Sequence, residues 1–270
     1  MLKTLLFSGL LLAGLVSRAQ AQAQVTFGPR VGANLATATF NTLETTVAPG
    51  TSYNYSKSSI VAPQIGLVLN MQWDKWAFQP ALLFSQQGVK QQASVTADFF
   101  GIQLREDITA TCRVNYLVLP LNVVYTPGGD HGLQFFAGPY LAVGVGGKAN
   151  YTISVSGSSP GQPGTTFNES ESSSVGFAFG NEFPDFMTST GGGSGGTGLG
   201  SSEASAMARR FDAGVAAGVG YRVGPVQAQL GYSFGLLNVN PDYPASYQMP
   251  NQAGTLRSLQ LTATYFLSGK

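Results

Sequence analysis

Charge is what this chain has least of. Only 10% of its 270 residues are Asp, Glu, Lys or Arg, against roughly 25% in ordinary soluble domains. So thin a charge suits a chain that turns much of its surface to lipid. The 14 basic and 13 acidic residues nearly cancel, for a formal net charge of +1. Phosphate backbones are bound by clustered Lys and Arg, and their absence here excludes a nucleic-acid partner. A single cysteine, Cys112, excludes an internal disulfide and reads as a small strand or loop residue. One histidine, His131, with one cysteine cannot assemble a metal cluster. His131 follows Asp130 in an expected turn, with no serine spaced as a nucleophile, so it reads as a solvated turn residue. Beyond the amino terminus no apolar run approaches the ~20 residues a spanning helix needs. The sequence therefore predicts no catalytic residues, no cofactor and no metal.

What is present is alternation. Eight segments place an apolar residue at every second position, the period of a strand. They begin at Val25, Gln64, Trp76, Tyr116, Leu133, Phe211, Val226 and Ser258. In the first, Val25, Phe27, Pro29, Val31, Ala33 and Leu35 share one face, and Thr26, Gly28, Arg30, Gly32 and Asn34 the other. In the second, Ile65, Leu67, Leu69 and Met71 oppose Gln64, Gly66, Val68 and Asn70. Across all eight, the first kind of face carries no charge. A charge on the lipid face of a membrane barrel costs ~2–4 kcal/mol at the midplane, so this face is assigned to lipid. Because lipid cannot hydrogen-bond an exposed backbone, such a sheet must close. The expected fold is an all-β, eight-stranded antiparallel transmembrane barrel over residues 24–270. Inward glycines leave room for Tyr116, Phe136 and Tyr140, and a barrel of this size is just wide enough to be filled by side chains. A plugged interior is expected. Pro29, Pro80, Pro120 and Pro139 interrupt the pattern, and local bulges are expected to house them.

Connections alternate in length. Short turns near Asp74, Gly128 and Gly224 belong on the periplasmic side, and long loops over 37–59, 88–112, 149–210 and 238–256 outside. Phe27, Trp76, Phe78, Tyr125, Phe135, Tyr221 and Tyr265 gather at the expected periplasmic ends, where aromatic rings favour the interface. Residues 95–108 keep partial alternation, so the third and fourth strands are expected to continue as a hairpin beyond the membrane. The third loop, 149–210, reads as flexible, with a Gly/Ser/Thr tract over 188–202. It also holds an aromatic island, Phe177, Phe179, Phe183 and Phe186, that reads as packing on the barrel rim or contacting a partner. Inside, Arg30, Asp212 and Arg222 are expected to form an ion-pair network across the lumen. At the amino terminus Lys3, the apolar run over 4–16 and small residues at Ala19, Ala21 and Ala23 read as a secretory signal peptide, 1–23, cleaved before Gln22 or Gln24.

Several blocks resemble a known family. FGPRVGAN (27–34), NYLVLPLNVVY (115–125), FFAGPYLAVG (135–144), FDAGVAAGVGY (211–221) and QLGYSFGLLNV (229–239) are similar to PorT-family outer-membrane barrel proteins. The resemblance departs at Val118, where relatives often carry an acid. It implies a non-enzymatic outer-membrane protein, with the founding member tied to a secretion system. The expected role is accordingly structural or interactive, accessory to secretion or envelope integrity. The expected partners are outer-membrane lipid and other envelope or secretion proteins, with the barrel itself monomeric. A small-solute pore, a barrel enzyme and a soluble lipocalin-like carrier with its faces reversed are the alternatives.

Overall fold

The computed structural model describes residues 24–40, 51–99, 102–158, 166–182, 206–242 and 253–267. The expected signal segment, Phe183, Phe186 and the tract over 188–202 lie outside the described residues. Ten strands follow one another: β1 (Gln24–Phe40), β2 (Thr51–Trp73), β3 (Trp76–Phe99), β4 (Ile102–Tyr125), β5 (Gly132–Ser158), β6 (Thr166–Phe179), β7 (Ala206–Ala208), β8 (Phe211–Val223), β9 (Val226–Gly235) and β10 (Gly254–Tyr265). Antiparallel pairing runs β1, β2, β3, β4, β5, β8, β9, β10 and back to β1. Eight strands thus close a ring, as the alternation predicts, and the ring has no edge along which lipid would meet unpaired N–H and C=O groups.

The pleat sorts side chains as expected. Leu67 is 62% exposed and Leu261 61%, while their chain neighbours Val68 and Thr262 are at 1% and 6%. In a soluble carrier the apolar set would be the buried one, so these exposures decide between the two barrel readings. Leu67→Arg is expected to cost ~2–4 kcal/mol when unfolding in urea is followed in lipid vesicles. An unchanged midpoint would mean that this face does not meet lipid.

The prolines are accommodated by a different device from the one expected. Register shifts occur between Ser59 and Gln64 of β2, a stretch that contains Pro63, and between Asn115 and Tyr116 of β4. Pro29, Pro80, Pro120 and Pro139 lie instead where the ladder lapses and resumes in the same register. Pairing breaks off after Pro80↔Leu121 and returns at Leu83↔Val118, and likewise between Pro120↔Tyr140 and Val123↔Ala137. A residue without an N–H forfeits its own rung, and the strand needs no extra residue to go on.

Two-residue turns join β2 to β3 and β8 to β9: Trp73 pairs with Trp76 and Val223 with Val226. The first turn residue has positive φ in each, 53° at Asp74 and 54° at Gly224, as hairpins matched to strand twist require. At this end the rings of Trp76 and Tyr125 lie 4.8 Å apart, part of the aromatic girdle foreseen from the sequence.

At the other end the strands are unequal. β2, β3, β4 and β5 have 23, 24, 24 and 27 residues, whereas β8, β9 and β10 have 13, 10 and 12. Crossing a bilayer takes ~9–11 residues. The surplus of the long strands, with β6 added alongside β5, makes a five-stranded sheet that runs past the lipid band. Roughly a dozen residues per strand at ~3.3 Å each carry it ~40 Å along the strand direction. The expected hairpin of the third and fourth strands is its centre, paired from Gly88↔Arg113 to Phe99↔Ile102. The expectation of one flexible loop over 149–210 is corrected here, because β5 continues to Ser158 and β6 and β7 both form within it.

Candidate functional site

The lumen is built from amides. Gln227 Nε2 donates to Gln134 Oε1 at 2.6 Å, and Gln134 Nε2 donates to Thr126 Oγ1 at 3.0 Å. Gln79 Nε2 donates to Asn70 Oδ1 at 2.9 Å, and Asn34 Nδ2 to Ser85 Oγ at 2.7 Å. Thr126 follows the end of β4 and the others are inward members of their strands, so the chain of bonds pairs buried polar groups across strands.

Arg30, Asp212 and Arg222 all point inward and are buried, but the structure does not join them. Arg30 Nε donates to Thr264 Oγ1 at 2.8 Å. Arg222 Nη1 donates to Gln72 Oε1 at 2.7 Å, and its guanidinium lies 4.8 Å from the centre of the Phe266 ring. Asp212 Oδ2 accepts from the Tyr140 hydroxyl at 2.9 Å. The ion-pair network expected from the sequence is therefore replaced by three separately held charges. Distance is the reason: Asp212 and Arg222 are ten positions apart on one strand, ~33 Å at strand rise. Tyr140, read from the sequence only as interior filling, is the partner that reasoning missed. Val118 lines the same small cavity as Arg30, so an acid there would face this guanidinium where valine does now.

Filling the lumen is largely the work of rings laid over glycines. Phe136 of β5 pairs with Gly218 of β8, which pairs with Gly231 of β9. A Cβ on Gly218 would lie 2.7 Å from Phe136 Cε1, and one on Gly231 2.6 Å from Phe136 Cζ. A cavity of about 40 Å³ lies among Arg30, Gln64, Asn122, Tyr140 and Gln229. That holds about three waters.

At the end opposite the two-residue turns, the last residues of β6 reach the interior. Phe177 and Phe179 pack, partly buried, against the interior apolar cluster. Phe179 lies over Gly144, where a Cβ would come within 2.3 Å of its ring, and Arg210 stands 5.6 Å from the ring centre. Of the aromatic island, these two dock on the barrel rim. The Arg209 guanidinium bonds Asp242 at 2.7 Å and the Asn240 carbonyl at 2.9 Å, tying β7 to the segment after β9. Phe179→Ala is expected to raise amide hydrogen exchange in β6 and β7 at least tenfold while leaving exchange in β8 to β10 unchanged, because local opening is governed by local apolar contacts. Equal exchange in β6 and β7 of the two proteins would show that Phe179 does not hold them on the rim.

His131 sits in the exposed turn, its Nδ1 2.7 Å from Asp130 Oδ1. That hydrogen bond holds the Asp130 carboxyl below the usual carboxylate range. On the projecting sheet Asp107 is held low in the same way, by Arg105 first and then by the Ser94 hydroxyl. A depressed carboxyl contributes stability above its unfolded value and loses it as pH falls through the folded one, but solvent screens pairs this exposed. Among the described residues no group of three or more His, Cys, Asp or Glu converges to hold a metal ion.

No match is found among curated proteins. Solved structures overlap only loosely. One is a chain described under asymmetric conductivity of engineered proteins, at 8% identity, 91% coverage of this chain, 100% of that chain and TM-score 0.17. Another is a substituted Rh. blastica porin, at 8% identity, with 91% and 100% covered and TM-score 0.17. At those scores nothing is transferred from them. The model of the outer membrane protein beta-barrel domain, in contrast, matches residues 19–240, which takes in seven of the eight ring strands described above. The chain belongs to the outer membrane protein beta-barrel domain family.

Proposed function

We propose that this protein is a non-enzymatic outer-membrane barrel whose work is done by the sheet it raises beyond the membrane. The observation that carries this reading is the contrast between a lumen filled by side chains and four strands more than twenty residues long. Spanning lipid needs no such length, so the surplus serves what lies outside. The barrel is the anchor and the five-stranded sheet is the platform. Its partners are envelope or secretion proteins, and its resemblance to PorT-family barrels favours a role accessory to secretion or envelope integrity. Export follows cleavage of the segment 1–23, and the barrel works as a monomer.

The test shortens the platform and spares the anchor. Residues 92–109 are replaced by an Asn-Gly turn, which removes the outer part of the β3–β4 hairpin. The shortened protein is expected to fold and reach the outer membrane but to fail to complement a deletion strain in secretion or envelope integrity. Full complementation would contradict the platform. Discrete conductance steps from the intact protein in a planar bilayer would replace it with a pore.

A further inference from the structure

The outward face of the long strands is layered. At the top of the lipid-facing band stand Val61, Phe84, Leu117 and Val145, all exposed. Beyond them, past a rung of Gln86, Asn115 and Gly146, come Lys90 of β3, Arg113 of β4 and Lys148 of β5 on adjacent strands. Arg113 and Lys148 are cross-strand partners, and Lys90 pairs with Thr111, two positions from Arg113 on the same face. Farther out the face carries hydroxyls and an amide: Thr111, Asn150, Thr152, Ser172 and Ser174, with Thr152 and Ser172 3.0 Å apart. Among the described residues, no carboxylate lies on this face between the apolar band and Asp107.

Two details show that the cationic layer is open to a ligand. Like charges set directly opposite each other in a sheet are destabilising, and Arg113 and Lys148 are so placed with no acid between them. Their other cross-strand partners are Gly88 and Gly176, which have no side chain to cover them. Arg113 turns down toward the lipid, its Nη1 donating to the Val61 carbonyl at 3.1 Å and to Gln86 Oε1 at 3.0 Å. The ammonium groups of Lys90 and Lys148 make no hydrogen bond or ion pair with any described residue. Among the described residues no such layer stands at the turn end of the barrel: Lys75 lies in a turn and Arg222 faces the lumen.

We propose that Lys90, Arg113 and Lys148 form a binding site for the phosphate of a phosphorylated glycolipid in the outer leaflet. The acyl chains lie on the apolar band, the phosphate pairs with the three cations and offsets most of their charge, and the sugar meets the Ser, Thr and Asn layer. Guanidinium and ammonium groups at the lipid edge supply charge-assisted hydrogen bonds to phosphate. Continuity with the lipid-facing band selects a membrane lipid over a free ion as the occupant.

The experiment uses the full mature chain, refolded in detergent and checked for folding by its mobility on electrophoresis without boiling. Retained lipid is measured by native mass spectrometry with diphosphoryl lipid A, its dephosphorylated form, or inorganic phosphate as probe. The diphosphoryl form is expected to bind, and the dephosphorylated form and free phosphate to bind far more weakly. Lys90→Gln/Arg113→Gln/Lys148→Gln should lower affinity for the diphosphoryl form on the order of a hundredfold, about fivefold per cation removed at an anionic membrane surface. Lys57→Gln/Lys75→Gln, which removes two cations from other surfaces, should leave it unchanged. Equal binding of the dephosphorylated lipid would overturn the proposal. So would full binding by the triple variant, an equal loss in the control variant, or inorganic phosphate binding as tightly as the lipid.

Discussion

Gly218→Val is expected to prevent recovery of the folded barrel. A Cβ at this position would lie 2.2 Å from the Leu230 carbonyl oxygen, 2.6 Å from the Gly231 Cα and 2.7 Å from the Phe136 ring. The first two atoms belong to the backbone of β9 and cannot withdraw without opening the β8–β9 ladder. Phe136 cannot yield either, since it is packed with Ala77 and Val124 in the buried cluster at this level. Overpacking of a core costs ~1–3 kcal/mol and more when backbone must move, and here a closed ring has no free edge to absorb the shift. Gly176→Val is the matched control, because a Cβ there meets nothing within 4 Å. Circular dichroism after dilution from urea into detergent should show native sheet for the control and little for Gly218→Val. Equal recovery would mean that the ring over Gly218 does not plug the lumen.

The second large effect concerns Asp212. Its Oδ2 takes the Tyr140 hydroxyl, and its Oδ1 has no hydrogen-bond partner. Tyr140→Phe removes the one side-chain donor from a buried carboxylate and is expected to cost ~1.5–3 kcal/mol, the range for hydrogen bonds to charged groups. In an Asp212→Asn background the same change should cost ~1 kcal/mol less, since a neutral amide suffers less from losing its donor. Urea unfolding of the four proteins gives the coupling directly. Additive costs would show that the hydroxyl's contribution does not depend on the Asp212 charge.

The faces of the strands were legible because lipid forbids charge, so every second residue of 64–71 or 226–236 declares its side. Height was less legible. Alternation says that Arg30, Asp212 and Arg222 point inward, yet parity is silent on level. The spacing of Asp212 and Arg222 within one strand already placed them at opposite ends of the lumen. The partner of Asp212 depended on the β5–β8 register across a connection of more than fifty residues, which no local pattern encodes. The outer sheet was mostly hidden for a different reason. TSYNYSKSS at the start of β2 and NESESSS in β6 are polar on both faces, so the period-two signal vanishes where lipid no longer sorts the residues. Phe179 over Gly144 was half visible, since rim packing was foreseen but the glycine beneath it depends on how β6 pairs with β5.

The most direct measurement is electrophoretic mobility of the outer-membrane fraction in detergent, with and without boiling. A closed, side-chain-filled barrel resists unfolding by detergent at room temperature, so the protein should be found in that fraction and run faster before boiling than after it. Recovery in the soluble periplasm, with one mobility under both conditions, would contradict the membrane barrel and everything built on its lipid face.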